Sequence, residues 1–161
     1  MIIDDLPIRV TAEGRWLHGD EELHPKVARL FARYVVPKPD GEYHLELGPQ
    51  KALLVVSDTA YFVRTLDLKV DSSGNLLAVE LLLSDGELEE LDPTTMMMSG
   101  DDVLYCKLRR EGLDVPCRFS QEQAYSVISL AELEGEKAFV TIDGNRWRVN
   151  NAYDSSFAPT G

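Results

Sequence analysis

Residues 107–116 read KLRREGLDVP, and the fold turns on whether this stretch is the bend of a hairpin. Leu104, Cys106 and Leu108 alternate with Tyr105, Lys107 and Arg109 before it, and Val115, Cys117 and Phe119 alternate with Pro116 and Arg118 across it. A period of two is the signature of a strand with one face buried, and Arg110-Glu111-Gly112 supplies the turn. Packing the apolar members together brings residue 106 opposite residue 117, because a slip of one position would turn half of them to water. Tyr105, Lys107, Arg109, Asp114 and Arg118 then share the outward face.

Working outward, the hairpin leads into a helix. Ser120 with Gln123 three residues later is a capping-box pattern, Ala124, Val127, Ile128 and Ala131 fall on one helical face, and Gly135 is the expected stop. A second hairpin follows, 138–142 and 146–149 around Asp143-Gly144, a strong two-residue turn signal. The same order stands at the start of the chain. Strands at 8–11 and 15–18 flank Glu13-Gly14, Pro25 suits a first helical turn, and Val27, Leu30, Phe31, Tyr34 and Val35 have helical spacing. Strands at 43–47 and 52–56 come next. An extra pair, 61–70 and 76–83, surrounds the turn Asp71-Ser72-Ser73-Gly74-Asn75, and the almost wholly apolar 76–83 predicts burial on both faces. Character changes over 87–100, with acids, Asp92-Pro93 and Met96-Met97-Met98. The expected fold is therefore α+β, with mostly antiparallel sheet. Two lobes, 1–92 and 93–161, are each built on a strand-turn-strand-helix-strand repeat, and the first carries the extra pair.

The chain has 161 residues and a net charge of −12, with 28 acidic against 16 basic residues. Such a surface repels phosphate backbones and anionic lipid heads, so neither nucleic acid nor membrane is expected as a partner. Met1-Ile2-Ile3-Asp4-Asp5 lacks the basic flank and apolar run of a signal peptide, no stretch approaches the roughly 20 apolar residues of a membrane span, and a cytoplasmic location is expected. Cys106 and Cys117 are too few for a disulfide framework and read as reduced thiols of the core.

No nucleophile elbow, phosphate loop or zinc-binding helix occurs, so no catalytic residue, cofactor or metal is assigned. His18, Asp20, Glu21, Glu22 and His24 crowd one loop, which reads as solvated. A carboxylate/His site at residues 18–24 of a small hydrolase-type enzyme is the alternative. Trp147 falls with Val140 on the inner face of its hairpin, while Trp16, set opposite Thr11, reads as an exposed anchor.

Leu6-Pro7-Ile8 through Gly14-Arg15-Trp16, Arg29-Leu30-Phe31, Asp40-Gly41-Glu42-Tyr43, and 55–62 together resemble a bacterial family catalogued only as a domain of unknown function. Its members carry a Gly-x-Trp opening, an Arg-Leu-Phe helix and a later Tyr-x-x-x-Arg segment, here Tyr105 to Arg109 and onward to Leu113. The similarity covers about residues 5 to 150. It implies an α+β fold with repeated structural motifs and a role in signal transduction, and supplies no catalytic residue. The sequence thus points to a non-catalytic, ligand- or partner-binding regulatory module. Tyr105, Lys107, Arg109, Arg118 and Trp16 are its candidate contacts, and an anionic small molecule or an acidic protein segment its partner.

Overall fold

The computed structural model describes residues 7–151. The Met1 to Asp5 stretch considered above as a signal peptide lies outside them. The described residues form two compact units, one of residues 7–62 with 84–87 and 108–117, the other of 63–83, 88–107 and 118–151. The units interleave along the chain.

The first unit contains β1 (Ile8–Val10), β2 (Trp16–His18), β3 (Glu21–Glu22), α1 (Pro25–Ala32), β4 (Val35–Pro37), β5 (Tyr43–Leu47) and β6 (Gln50–Val56). They form a six-stranded sheet ordered β3-β2-β1-β6-β5-β4, in which β1 pairs with β6 in parallel. A parallel pair needs a long crossover, which α1 and the β4–β5 hairpin supply. Ile8, Val10 and Leu45 are fully buried on one face, and Trp16 meets Phe31 edge-on at 6.4 Å.

Two sequence expectations change here. Thr11 donates its N–H to the Arg15 carbonyl and so closes the loop, which leaves Val10, not Thr11, opposite Trp16. The indole is consequently turned inward and only 5% exposed, so Trp16 is no exposed anchor. The helix is also shorter than its spacing suggested. It stops at Ala32, leaving Leu30 and Tyr34 exposed, because Val35 and Val36 pair with Leu45 and His44 instead; β-branched residues fit that pleated surface better than a last helical turn.

The remaining strands are β7 (Tyr61–Val70), β8 (Leu76–Leu83), β9 (Leu88–Glu90), β10 (Met97–Met98), β11 (Leu104–Arg110), β12 (Leu113–Phe119), β13 (Glu132–Glu134), β14 (Lys137–Ile142) and β15 (Asn145–Asn151), with α2 (Gln121–Ile128) between β12 and β13. Their sheet runs β13-β14-β15-β10-β11-β12-β7-β8-β9, and β10 pairs with β15 in parallel. Both sheets are thus mixed, and with two α-helices among the described residues the fold is α+β. Glu111 and Gly112 both have positive φ, 51° and 73°, as do Asp143 and Gly144, 52° and 76°, so both hairpins turn on the primed two-residue geometry that matches strand twist. The earlier Glu13-Gly14 sits in a longer loop of a different kind.

In the second unit β8 buries Val79, Leu81 and Leu83 and leaves Leu77 exposed, so the apolar run 76–83 has one core face rather than two. Ser120 caps α2 by accepting the Gln123 N–H at 3.2 Å. The Gln123 side chain does not close the box but donates to the Arg64 carbonyl at 3.3 Å. The helix ends at Ile128, well before Gly135, because β13 pairs with β14 from Glu132 onward.

Candidate functional site

Alternation along β11 fixes the outward face. Leu104, Cys106 and Leu108 are buried, so Tyr105 and Lys107 project the other way, and on β12 the buried Cys117 and Phe119 send Arg118 outward. Neither cysteine forms a disulfide, and both are buried. In the second unit Tyr105 lies opposite Met97, and Met97 opposite Asn150, so one row crosses β11, β10 and β15. Two residues further along come Lys107 on β11 and Arg148 on β15. The Lys107 N–H donates to Thr95 Oγ1 at 3.1 Å and ties the 3-10 turn Pro93–Thr95 to the same row. Arg148 belongs to this face because Val149 is buried on the other, with Trp147 beside it opposite Val140 as the sequence suggested.

Sequence reading thus found three members of this surface, Tyr105, Lys107 and Arg118, and missed Arg148. The signal was present in the alternation of 146–149, but only the pairing of β10 with β15 brings that strand to the hairpin. Beside it Glu134 binds Arg146 at 2.7 Å, and the Arg146 guanidinium stacks 3.8 Å over Phe139.

Arg109 belongs to the first unit, where it pairs with Asp114 at 3.0 Å on an exposed stretch of hairpin. Trp16 is in that unit's core. The loop of residues 18–24 has a structural use as well: His24 Nδ1 accepts the Lys26 N–H at 3.1 Å and caps α1, and Arg9 Nη2 donates to the Gly19 carbonyl. Among the described residues no group of three or more His, Cys, Asp or Glu side chains is placed to hold a metal ion, and no helix is long and apolar enough to cross a membrane.

With these elements in place the chain can be set beside known folds. It superposes on a DUF1285 family protein from Silicibacter pomeroyi DSS-3 with a TM-score of 0.69 at 14% identity, over 91% of this chain and 80% of that one. A DUF1285 family protein from Shewanella baltica OS155 gives 0.57 at 23% identity, over 77% and 91%. In fold the chain is similar to DUF1285 proteins. No family model matches the sequence, and no curated protein does. The DUF1285 likeness carries architecture only, so the chemistry rests on this chain's own residues.

A second cluster escaped the sequence reading altogether. In the first unit Arg110 Nε donates to Asp85 Oδ2 at 2.8 Å, with the two side chains only 16% and 10% exposed. The guanidinium carbon lies 5.6 Å from the centre of the Tyr61 ring, which Tyr43 meets edge-on at 6.3 Å. Burial, reinforced by the Asp85 charge, pushes the Tyr61 hydroxyl well above the ordinary tyrosine range, while Arg110 works the other way. Asp85 Oδ1 accepts the Glu87 N–H, Tyr61 donates to the Val35 carbonyl at 3.4 Å, and Thr59 donates to the Tyr61 carbonyl. A Cβ on Gly86 would come within 3.4 Å of Arg33 Nε. These contacts fasten the 84–87 turn to the core of the first unit.

Proposed function

We propose that this protein is a non-catalytic binding module whose outward face on β15, β10, β11 and β12 takes an anionic partner, a role that suits the signalling implied by its family resemblance. The observation that carries the reading is the concentration of Lys107, Arg118 and Arg148, with Tyr105 and Met97 between them, on one sheet face of a chain whose net charge is −12. Guanidinium forks and a phenol suit carboxylate or phosphate oxygens, and a cationic patch within an anionic field concentrates anions at one place. The recurring order of hairpin, helix, strand and hairpin in 8–56 and 104–151 further supports reading the chain as one unit used twice, with the basic face belonging to the second copy.

Anion-dependent thermal stabilisation tests this. At low ionic strength a panel of di- and tricarboxylates and phosphates raises the melting temperature of the wild type, and the gain disappears in Lys107→Gln/Arg118→Gln. No shift by any anion, or equal shifts in both proteins, removes the assignment.

A further inference from the structure

We infer that the occupant of this face is an extended acidic segment of another protein, with an apolar residue among its carboxylates. The inference rests on the reading of the face just given and specifies its partner. β15, β10, β11 and β12 are consecutive in the sheet, and neighbouring strands lie about 4.8 Å apart. The backbones carrying Arg148 and Lys107 are therefore separated by about 10 Å, and Arg118 lies one strand further, about 14 Å from β15. What fills the interval is Met97 and Thr95, not a third cation. Cations spaced in this way are spread across the face rather than gathered around one small anion.

An extended chain advances about 3.4 Å per residue and turns alternate side chains to one face, so carboxylates four residues apart share a face and span about 14 Å, the separation of β15 from β12. A side chain between them would rest on Met97 and Tyr105, whose thioether and ring offer polarizable apolar contact. Charge also favours a short acidic peptide over a nucleic acid. A long phosphate backbone would run past the patch onto the rest of a chain whose net charge is −12, whereas a peptide of a few residues ends within it.

The test is fluorescence anisotropy at low salt with a labelled peptide, Glu-Glu-Leu-Glu-Glu-Asp, alongside its all-Gln counterpart, its Leu→Ser version, inorganic phosphate and a short oligothymidylate. The acidic peptide should bind saturably, and the all-Gln peptide should bind at least about tenfold more weakly, as should the acidic peptide to Arg118→Gln/Arg148→Gln; tenfold is about 1.4 kcal/mol. The Leu→Ser peptide should lose affinity without losing salt dependence. Circular dichroism checks the variant's fold. If that variant does not fold, Lys107→Gln, at an exposed position, and a salt titration of the wild type supply the same comparison. Displacement of a bound reporter by phosphate with no advantage for the peptide would overturn this inference while leaving the anion site in place. Tighter binding of the oligothymidylate would also overturn it, and binding of no anion at all would overturn both readings.

Discussion

Arg109 and Arg110 are chain neighbours at the end of β11, and each holds an aspartate at close range. The Arg109–Asp114 pair has side chains 69% and 62% exposed, the Arg110–Asp85 pair 16% and 10%. Strand alternation alone separates them, since one step along the backbone turns the side chain to the other face of the sheet. The same ionic chemistry does different work on the two faces. In water the pair gains little over its hydrated partners; out of water each charge depends on the other, and Tyr61 adds its ring to the guanidinium. Charge turned inward holds the 84–87 turn, and the binding face proposed above draws on charge turned outward.

The largest expected effect is on the inward side. Arg110→Ala leaves Asp85 buried without its cation and should cost about 3–5 kcal/mol in urea denaturation. A loss below 1 kcal/mol would mean that water reaches the pair and would erase the contrast with Arg109. Replacing both charges sharpens the point: Arg110→Met/Asp85→Leu should recover most of that loss, because apolar substitution of a whole buried pair is often neutral or better. If the double variant is as unstable as the single one, the pair has a role beyond mutual neutralisation.

Next comes pH. The raised Tyr61 hydroxyl is a group that folding keeps protonated, so its contribution is complete below about pH 10, where unfolded tyrosine titrates, and is lost as pH rises through the higher folded value. The fall in stability between neutral and strongly alkaline pH should therefore be smaller in Tyr61→Phe than in the wild type. Identical falls would place the cause elsewhere. The smallest effect belongs to the outward pair: Arg109→Ala should change stability by about 0–1 kcal/mol, and by less in high salt.

The same contrast explains what could be read beforehand. Alternation and turn chemistry are local, so the 104–119 hairpin, its Glu111-Gly112 turn, the Asp143-Gly144 turn and the outward set Tyr105, Lys107 and Arg118 were legible. Arg110 was not recognised as an inward residue because its partner is 25 positions away, and no periodicity links it to Asp85. Arg148 was missed for a similar reason, since β10, two residues long, is what joins β15 to the hairpin. Trp16 went astray by one register step, through a loop that closes at Thr11 and Arg15 rather than at a two-residue turn. The early ends of both helices reflect strand pairing that overrides helical spacing.

One paired experiment reaches the central claim, that inward charge serves the fold and outward charge serves a partner. Urea denaturation and acidic-peptide titration are run together on Arg110→Gln and on Lys107→Gln/Arg118→Gln. The account predicts that Arg110→Gln loses several kcal/mol of stability and, under conditions where it is still folded, binds the peptide as the wild type does. Lys107→Gln/Arg118→Gln should stay within about 1 kcal/mol of wild-type stability and lose the peptide. A Lys107→Gln/Arg118→Gln protein that is as destabilised as Arg110→Gln and still binds the peptide normally would contradict it.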